Sequence, residues 1–352
     1  MDIKGKKILL IRLSALGDVV FNIPLANLIK DNGGILHWLV SEKGFEVVNE
    51  NSCVDKVILA PVEKWKKEKN KIKNIIEYFK IIRQLRNEKY DIVIDTQLIL
   101  KSFIWTRFSG GKRRIVASSA REGAIYGGNE VIEPLFNDFK LHAVYNYFKF
   151  AKYLNLNTDK IKVTLPNSKE ETIKKIDELL NGIDPNKKNL MIAPCTTWDN
   201  KHWNKDYWKT LINQIDTTKY NLIFLGTKND KDYINYIGGD NFINLSGKTN
   251  LKEFIEALRR ADVLISLDSG STHLGWAVNK PKIISIFCST PYQRYAPLGI
   301  GHIPLSGNLM CQPCHKKKCP NKDNRCTNFP KVEEVLDALY EIERNFNWIL
   351  LF

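Results

Sequence analysis

Short apolar runs of β type alternate with helical patterns along this chain, and the alternation happens twice. In the first half the runs at residues 8–13, 36–40, 56–59 and 92–95 are followed by helical patterns at 24–30, 44–49, 71–86 and 102–108. In the second half, runs at 190–193, 222–225, 263–266 and 283–287 interleave with helical patterns at 206–215, 231–237, 251–260 and 271–278. Such alternation marks βαβ units and parallel sheets, so the predicted class is α/β. At 352 residues and 43% hydrophobic, the chain can bury two cores. A polar stretch, with Pro166 and Pro185 on either side of a Lys-rich helix, divides the halves. The expected division is a first domain at 1–165, a linker region at 166–188, a second domain at 189–330 and a terminal helix at 331–352 packing back toward the first. Two such domains facing one another make a cleft.

Composition narrows the class. No apolar run approaches the ~20 residues needed to span a bilayer, and residues 8–13 lack the cleavage pattern of a signal peptide, so a cytoplasmic protein is expected. Seven cysteines then read as thiols or metal ligands rather than a secreted disulfide framework. The net charge of +14 is uneven: residues 63–122 hold 16 Lys plus Arg against 7 Asp plus Glu, a local excess of +9. Nucleic acid, an anionic membrane surface or a phosphorylated small molecule would be drawn there. Aromatic residues are interleaved in the same stretch. However, Ile72, Ile75, Ile76, Phe79, Ile82 and Leu85 have helical spacing and predict the core face of a helix. The terminal residues Trp348 to Phe352 are too few to span a membrane and are expected to pack on protein.

In residues 7–30 an apolar strand breaks at Ser14-Ala15-Leu16-Gly17-Asp18 and resumes as a helix. This puts a carboxylate at a helix start above the C-terminal end of a strand, where open α/β sheets bind ligands. Asp18 therefore reads either as a catalytic carboxylate or as a helix-start residue favoured by the dipole. The turn lacks Gly-x-Gly-x-x-Gly, and the chain has no Walker lysine motif, no His-Glu-x-x-His and no Gly-x-Ser-x-Gly. Dehydrogenase, P-loop, zincin and hydrolase-elbow readings lose ground accordingly. Three second-half segments each follow a strand: residues 194–203, residues 226–230 and residues 268–273. Ser269, Gly270 and Ser271 at a helix start make an anion site, and Lys201 adds a point charge, which together indicate a diphosphate site. Taken singly, Asp268-Ser269-Gly270 reads also as a turn and N-cap, Lys201 as a surface lysine and His273 as a satisfied helix histidine.

Residues 12–24 (RLSALGDVVFNIP), 196–203 (TTWDNKHW) and 266–281 (SLDSGSTHLGWAVNKP) resemble the heptosyltransferases of glycosyltransferase family 9. Residues 62–69, 90–102 and 120–128 are similar to the lipopolysaccharide heptosyltransferase I branch. The resemblance runs through most of the chain. It implies a GT-B fold, two Rossmann-like domains with parallel sheets facing across a cleft, the first binding acceptor and the second the nucleotide sugar. It further implies inverting, metal-independent transfer of L-glycero-D-manno-heptose from ADP-heptose to the inner Kdo of Kdo2-lipid A, peripheral on the cytoplasmic face of the inner membrane, with no nucleic-acid partner. Carried over by position, Asp18 is the general base. Thr196, Thr197 and Lys201 contact the diphosphate, Asp230 the ribose and Asp268 the donor heptose, while Ser269, Gly270 and His273 form the phosphate-binding helix start. Lys64, Lys66, Lys67, Lys101 and Arg121 match the cations around the acceptor; Lys replaces several arginines expected there, so point charges replace bidentate contacts.

Cys311, Cys314, Cys319 and Cys326 lie within sixteen residues, among Lys316, Lys317 and Lys318. They read as a structural zinc knuckle, or as free thiols or disulfides, the spacing not being a standard pair of C-x2-C motifs. Two further functional readings remain at this level. One is a later-acting heptosyltransferase or another nucleotide-sugar transferase of the family. The other is a non-catalytic basic protein for nucleic acid or anionic lipid.

Overall fold

The computed structural model describes residues 2–239 and 241–349, which form two compact units, Met1–Asn167 and Ser168–Phe352. The first contains, in chain order, β1 (Lys7–Ile11), α1 (Leu16–Asp31), β2 (Ile35–Ser41), α2 (Glu42–Val48), β3 (Lys56–Ala60), α3 (Val62–Lys67), α4 (Lys71–Asn87), β4 (Ile92–Asp95), α5 (Leu100–Phe108), β5 (Arg113–Ala117), β6 (Glu130–Ile132) and α6 (Ala143–Tyr153). Its six strands are parallel in the order β3-β2-β1-β4-β5-β6. Ile8 to Ile11 and Ile92 to Ile94 are fully buried. Strands covered on both faces read as continuous apolar runs, which is why these were visible in the sequence. Helix α1 begins well before residue 24, because Val19, Val20, Phe21 and Ile23 bury completely or nearly so and carry the helix through Pro24.

The second unit contains α7 (Glu170–Leu179), β7 (Lys188–Ala193), α8 (Lys205–Gln214), β8 (Tyr220–Phe224), α9 (Lys231–Ile237), β9 (Ile243–Asn244), α10 (Leu251–Leu258), β10 (Val263–Leu267), α11 (Gly270–Val278), β11 (Lys282–Phe287), α12 (Tyr292–Tyr295), β12 (Ile303–Ser306) and α13 (Val332–Ile349). Its strands are also parallel, ordered β12-β11-β10-β7-β8-β9. Each unit thus repeats the doubly wound order in which the first strand sits between the second and the fourth. The winding reverses between β1 and β4 in one unit and between β7 and β10 in the other. Ligand crevices open at such switch points, outside the carboxyl ends of the strands.

Helix α7 lies inside the stretch expected as linker; it buries Thr172 and Ile176 and is tied to α10 by Lys175 Nζ and Glu253 Oε2 at 2.9 Å. The terminal helix was expected to return toward the first unit. Its described turns instead place Val335, Leu339 and Ile342 in the second unit's own core with Trp208 and Ile284. The side chains expected to pack at residues 348–352 lie outside the described residues. Gly275 lets α11 lie close on β10, since a Cβ there would sit 2.5 Å from Leu264 Cδ2.

Helix α4 departs most from expectation. Tyr78, Ile81, Ile82 and Leu85 do face the core. But Ile72, Ile75, Ile76 and Phe79 are exposed by 70%, 53%, 51% and 64%, so four of the six side chains expected on the core face point to solvent. The helix carries two adjacent apolar stripes, and spacing alone merges them into one. Among the described residues no helix is long and apolar enough to cross a membrane.

Candidate active-site residues of the two units

At the first switch point, the chain leaves β1 through Arg12 and enters α1 with Asp18 in its first turn. Arg12 is 7% exposed; its guanidinium pairs with Asp18 Oδ2 through Nη2 and donates from Nη1 to the Thr96 carbonyl at 2.6 Å, just after β4. Tyr147, on α6, donates its hydroxyl to Asp18 Oδ1 at 3.1 Å, and its ring lies 5.6 Å from the Arg12 guanidinium carbon. Burial pulls the Arg12 pKa down, but Asp18 and then Tyr147 push it further up, so the net shift is upward and the group stays cationic. The backbone N–H of Ala15 also donates to Asp18 Oδ2, at 3.4 Å. The helix-start role is therefore real, yet it uses only part of the carboxylate's bonding capacity.

The loop after β4 is braced from below. Asp95, fully buried, accepts from the Gln97 and Leu98 N–H groups at 2.9 and 3.0 Å and from the Thr106 hydroxyl at 3.0 Å; burial pushes its carboxyl up and these donors offset part of the rise. Gln97 in turn accepts from the N–H groups of Leu13 and Ser14, fixing the turn that presents Asp18. Sequence reasoning singled out neither Asp95, Gln97 nor Tyr147. An acid closing an apolar strand was a signal for Asp95, whereas Tyr147 is 129 residues from its partner and left none.

The cations expected around an acceptor lie on the same carboxyl edge of this sheet, because parallel strands send every connection out on one side. Lys64, Lys66 and Lys67 lie exposed on α3, after β3; Lys101 is exposed in the first turn of α5, after β4; and Arg121 is exposed after β5. Lys64 pairs with Glu77 at 2.9 Å and Lys66 with Glu63 at 2.7 Å. The Glu63 carboxyl is held below its usual range, first by the Lys66 hydrogen bond and further by Lys43 and Lys101.

At the second switch point, Lys201 lies in a 3-10 turn (Asp199–Lys201) after β7, and Asp268 follows β10. Lys201 Nζ is 2.6 Å from Asp268 Oδ2, His273 Nε2 is 3.4 Å from Asp268 Oδ1, and the Thr290 hydroxyl donates to Oδ2 at 2.6 Å. Asp268 is 2% exposed. Burial alone would raise its pKa, but the His273 hydrogen bond and Lys201 overcome this and hold the carboxyl well below the usual range. Trp198 stacks under the ammonium, its centroid 4.6 Å from Lys201 Nζ. Trp198 and Thr290 were not foreseen as parts of this cluster.

Ser269 caps α11, its Oγ accepting from the Ser271 N–H at 3.3 Å, and Gly270 is the first helical residue. The helix N-terminus expected as an anion site is thus built beside the Lys201–Asp268 pair. Thr196 is half-buried and its carbonyl meets His202 Nε2 at 2.9 Å; Thr197 is exposed. Asp230 closes its own turn, accepting from Thr227 N and Thr227 Oγ1, both at 2.7 Å. It also bonds the Cys195 thiol, whose pKa is raised by burial first and by Asp230 second.

The cysteine cluster needs correction. All seven cysteines are free, and among the described residues no group of three or more His, Cys, Asp or Glu side chains is placed to hold a metal. The expected zinc site at Cys311, Cys314, Cys319 and Cys326 therefore has no support. Cys326 is buried in the second unit's core, Cys311 is exposed, Cys314 Sγ lies 3.9 Å from Asn200 Nδ2, and Cys319 Sγ lies 3.7 Å from Asp323 Oδ1. The loop is fastened by other means: Asn200 donates to the Lys316 carbonyl at 3.1 Å and the His315 N–H to the Ser289 carbonyl at 2.7 Å. Burial, with the neighbouring thiols, pushes Cys326 up to about 11.

The residues 78–324 match the family model described as glycosyltransferase family 9 (heptosyltransferase). A Campylobacter coli protein named lipopolysaccharide heptosyltransferase 1 is 29% identical over 364 residues, covering 96% of this chain and 98% of that protein. Among solved structures, a family 9 glycosyltransferase from Veillonella parvula superposes with a TM-score of 0.80 at 18% identity, covering 97% of this chain and 98% of that one. E. coli heptosyltransferase WaaC with ADP superposes at 0.72 and 20% identity, covering 96% and 99%. Two doubly wound units of this kind make up the GT-B fold. The chain belongs to glycosyltransferase family 9, the heptosyltransferases, and is a glycosyltransferase.

Proposed function

We propose that this enzyme transfers L-glycero-D-manno-heptose from ADP-heptose to the inner Kdo of Kdo2-lipid A, with inversion, at the cytoplasmic face of the inner membrane. The observation that carries the reading is Asp18, a partly exposed carboxylate fixed by Arg12 and Tyr147 at a switch point, with lysine-rich α3, Lys101 and Arg121 on the same sheet edge. Likeness to the Campylobacter coli protein along nearly the whole chain supports first-heptose transfer over a later step.

In this reading the first unit binds the acceptor, its cations meeting the carboxylates and phosphates of a Kdo-bearing lipid. Asp18 takes the proton of the acceptor hydroxyl as its oxygen bonds to the anomeric carbon. The bond from that carbon to the diphosphate breaks, and ADP leaves with the electron pair. The second unit binds the donor. Thr196, Thr197, Lys201 and the N–H groups behind Ser269 and Gly270 meet the diphosphate, whose charge grows as the bond breaks, so fixed donors there favour the transition state. His273 and Asp268 set the position of Lys201. Asp268 reaches the donor heptose only if the sugar approaches a carboxylate that is 2% exposed. Asp230 has lone pairs beyond its turn for the ribose.

ADP release with ADP-heptose and Kdo2-lipid A is expected to be fast, and slow when the acceptor already carries its first heptose. The reverse preference would assign the later step instead. Because Lys201 and the α11 N-terminus take the diphosphate charge, turnover is also expected to survive EDTA dialysis undiminished. A chelator-dependent loss restored by a divalent ion would contradict this.

A further inference from the structure

The exposed residues of α4 form a surface that glycosyl transfer does not use. Ile72, Ile75, Ile76 and Phe79 follow i, i+3, i+4, i+7 spacing and are all more than half exposed, beside the inward stripe of Tyr78, Ile81, Ile82 and Leu85. A single exposed apolar side chain is ordinary, but four on one helix face form a patch of the kind that marks an interaction site.

The charges around it select the partner. Between residues 63 and 86 there are nine Lys or Arg and three Glu. Lys71 and Lys73 stand exposed in the first turn of α4, with Lys69 exposed just before it, and Lys80, Arg83 and Arg86 lie exposed along its later turns. Of the three acids, Glu63 and Glu77 are already paired with lysines. An apolar stripe ringed by long cationic side chains is the pattern of a helix lying in a bilayer interface, apolar residues among the acyl chains and lysines at the anionic headgroups. A second copy of this chain would bring the same net positive charge against itself.

We propose that α4 is a membrane-docking helix that inserts Ile72, Ile75, Ile76 and Phe79 into an anionic bilayer surface. The proposal rests on the reading of the enzyme as one acting on a lipid-anchored acceptor, and it names the surface that brings the enzyme to that lipid. Each lysine near the surface adds an attraction that salt screens.

The test is co-sedimentation of the full chain with vesicles of phosphatidylglycerol and phosphatidylethanolamine, and with vesicles of phosphatidylcholine alone. Binding is expected to the anionic vesicles only, to weaken in high salt, to fall at least tenfold in the double variant Ile75→Ser, Phe79→Ser, and to persist in Phe79→Leu. Turnover on a water-soluble Kdo acceptor without acyl chains is expected to be equal in wild type and the double variant, whose changes lie on an exposed face. Undiminished vesicle binding by the double variant overturns the docking helix, even if soluble-acceptor transfer proceeds. Loss of soluble-acceptor transfer in wild type overturns the acceptor reading instead. A concentration-dependent dimer that the double variant abolishes, with no vesicle binding, assigns the stripe to self-association and also overturns the proposal.

Discussion

Replacing Asp18 with Asn is expected to lower kcat by about 10²–10⁴-fold, the range that a positioned general base supplies. The choice of Asn separates the two tasks of this side chain. A carboxamide oxygen in the place of Oδ2 can still accept from the Ala15 N–H and from Arg12, and its NH2 in the place of Oδ1 can donate to the Tyr147 hydroxyl oxygen, so the three groups that hold Asp18 keep a partner. It cannot take a proton from an attacking hydroxyl. Donor affinity should be unchanged, because the residues proposed to meet the diphosphate belong to the other unit, and the melting temperature should fall only by the loss of one ion pair. If Asp18 were only a helix-start residue, the variant would turn over like wild type. Calorimetric ADP binding, a thermal melt and ADP release with Kdo2-lipid A give the three readouts, and full activity in the last sinks the proposed base.

The central strands were legible because a parallel strand covered on both faces must be apolar throughout, as in β1, β4 and β10. The edges were not. β9 has two residues, β12 includes Pro304, and β6 is partly exposed, so none shows a run long enough to register. Asp18, Lys201, Asp268 and His273 could each be named from local context, since each follows a strand or opens a helix. Their partnerships could not, because Tyr147 and Thr290 reach these carboxylates from elements whose sequences carry no mark of the contact. Two patterns misled for a shared reason: periodicity and spacing report that residues lie together, not what they face. The helical spacing of α4 merged an inward stripe with an outward one, and, among the described residues, the four closely spaced cysteines, with Cys326 in the core, are not placed to hold a metal.

The Lys201–Asp268 pair should show the largest effect on donor binding, and the two halves of the pair should fail differently. Lys201→Met removes the ammonium that is to meet the diphosphate. A hydrogen bond to a charged group contributes about 1.5–3 kcal/mol, so ADP affinity is expected to drop by roughly 10–150-fold. Asp268→Asn keeps the ammonium but releases it from the carboxylate, leaving Lys201, 16% exposed, without its counter-charge. Removing one partner of a buried pair costs about 3 kcal/mol or more, so this variant should lose stability as well as affinity. The pH dependence follows from the sign of the Asp268 shift. Its folded carboxyl lies below the ordinary value of about 3.9, so its stabilisation is complete above that value and is lost as pH falls toward the folded one. The gap in melting temperature between wild type and Asp268→Asn should therefore narrow as the pH falls below 4. A gap that stayed unchanged down to pH 2 would place the titrating group elsewhere and remove Asp268 as the anchor of Lys201.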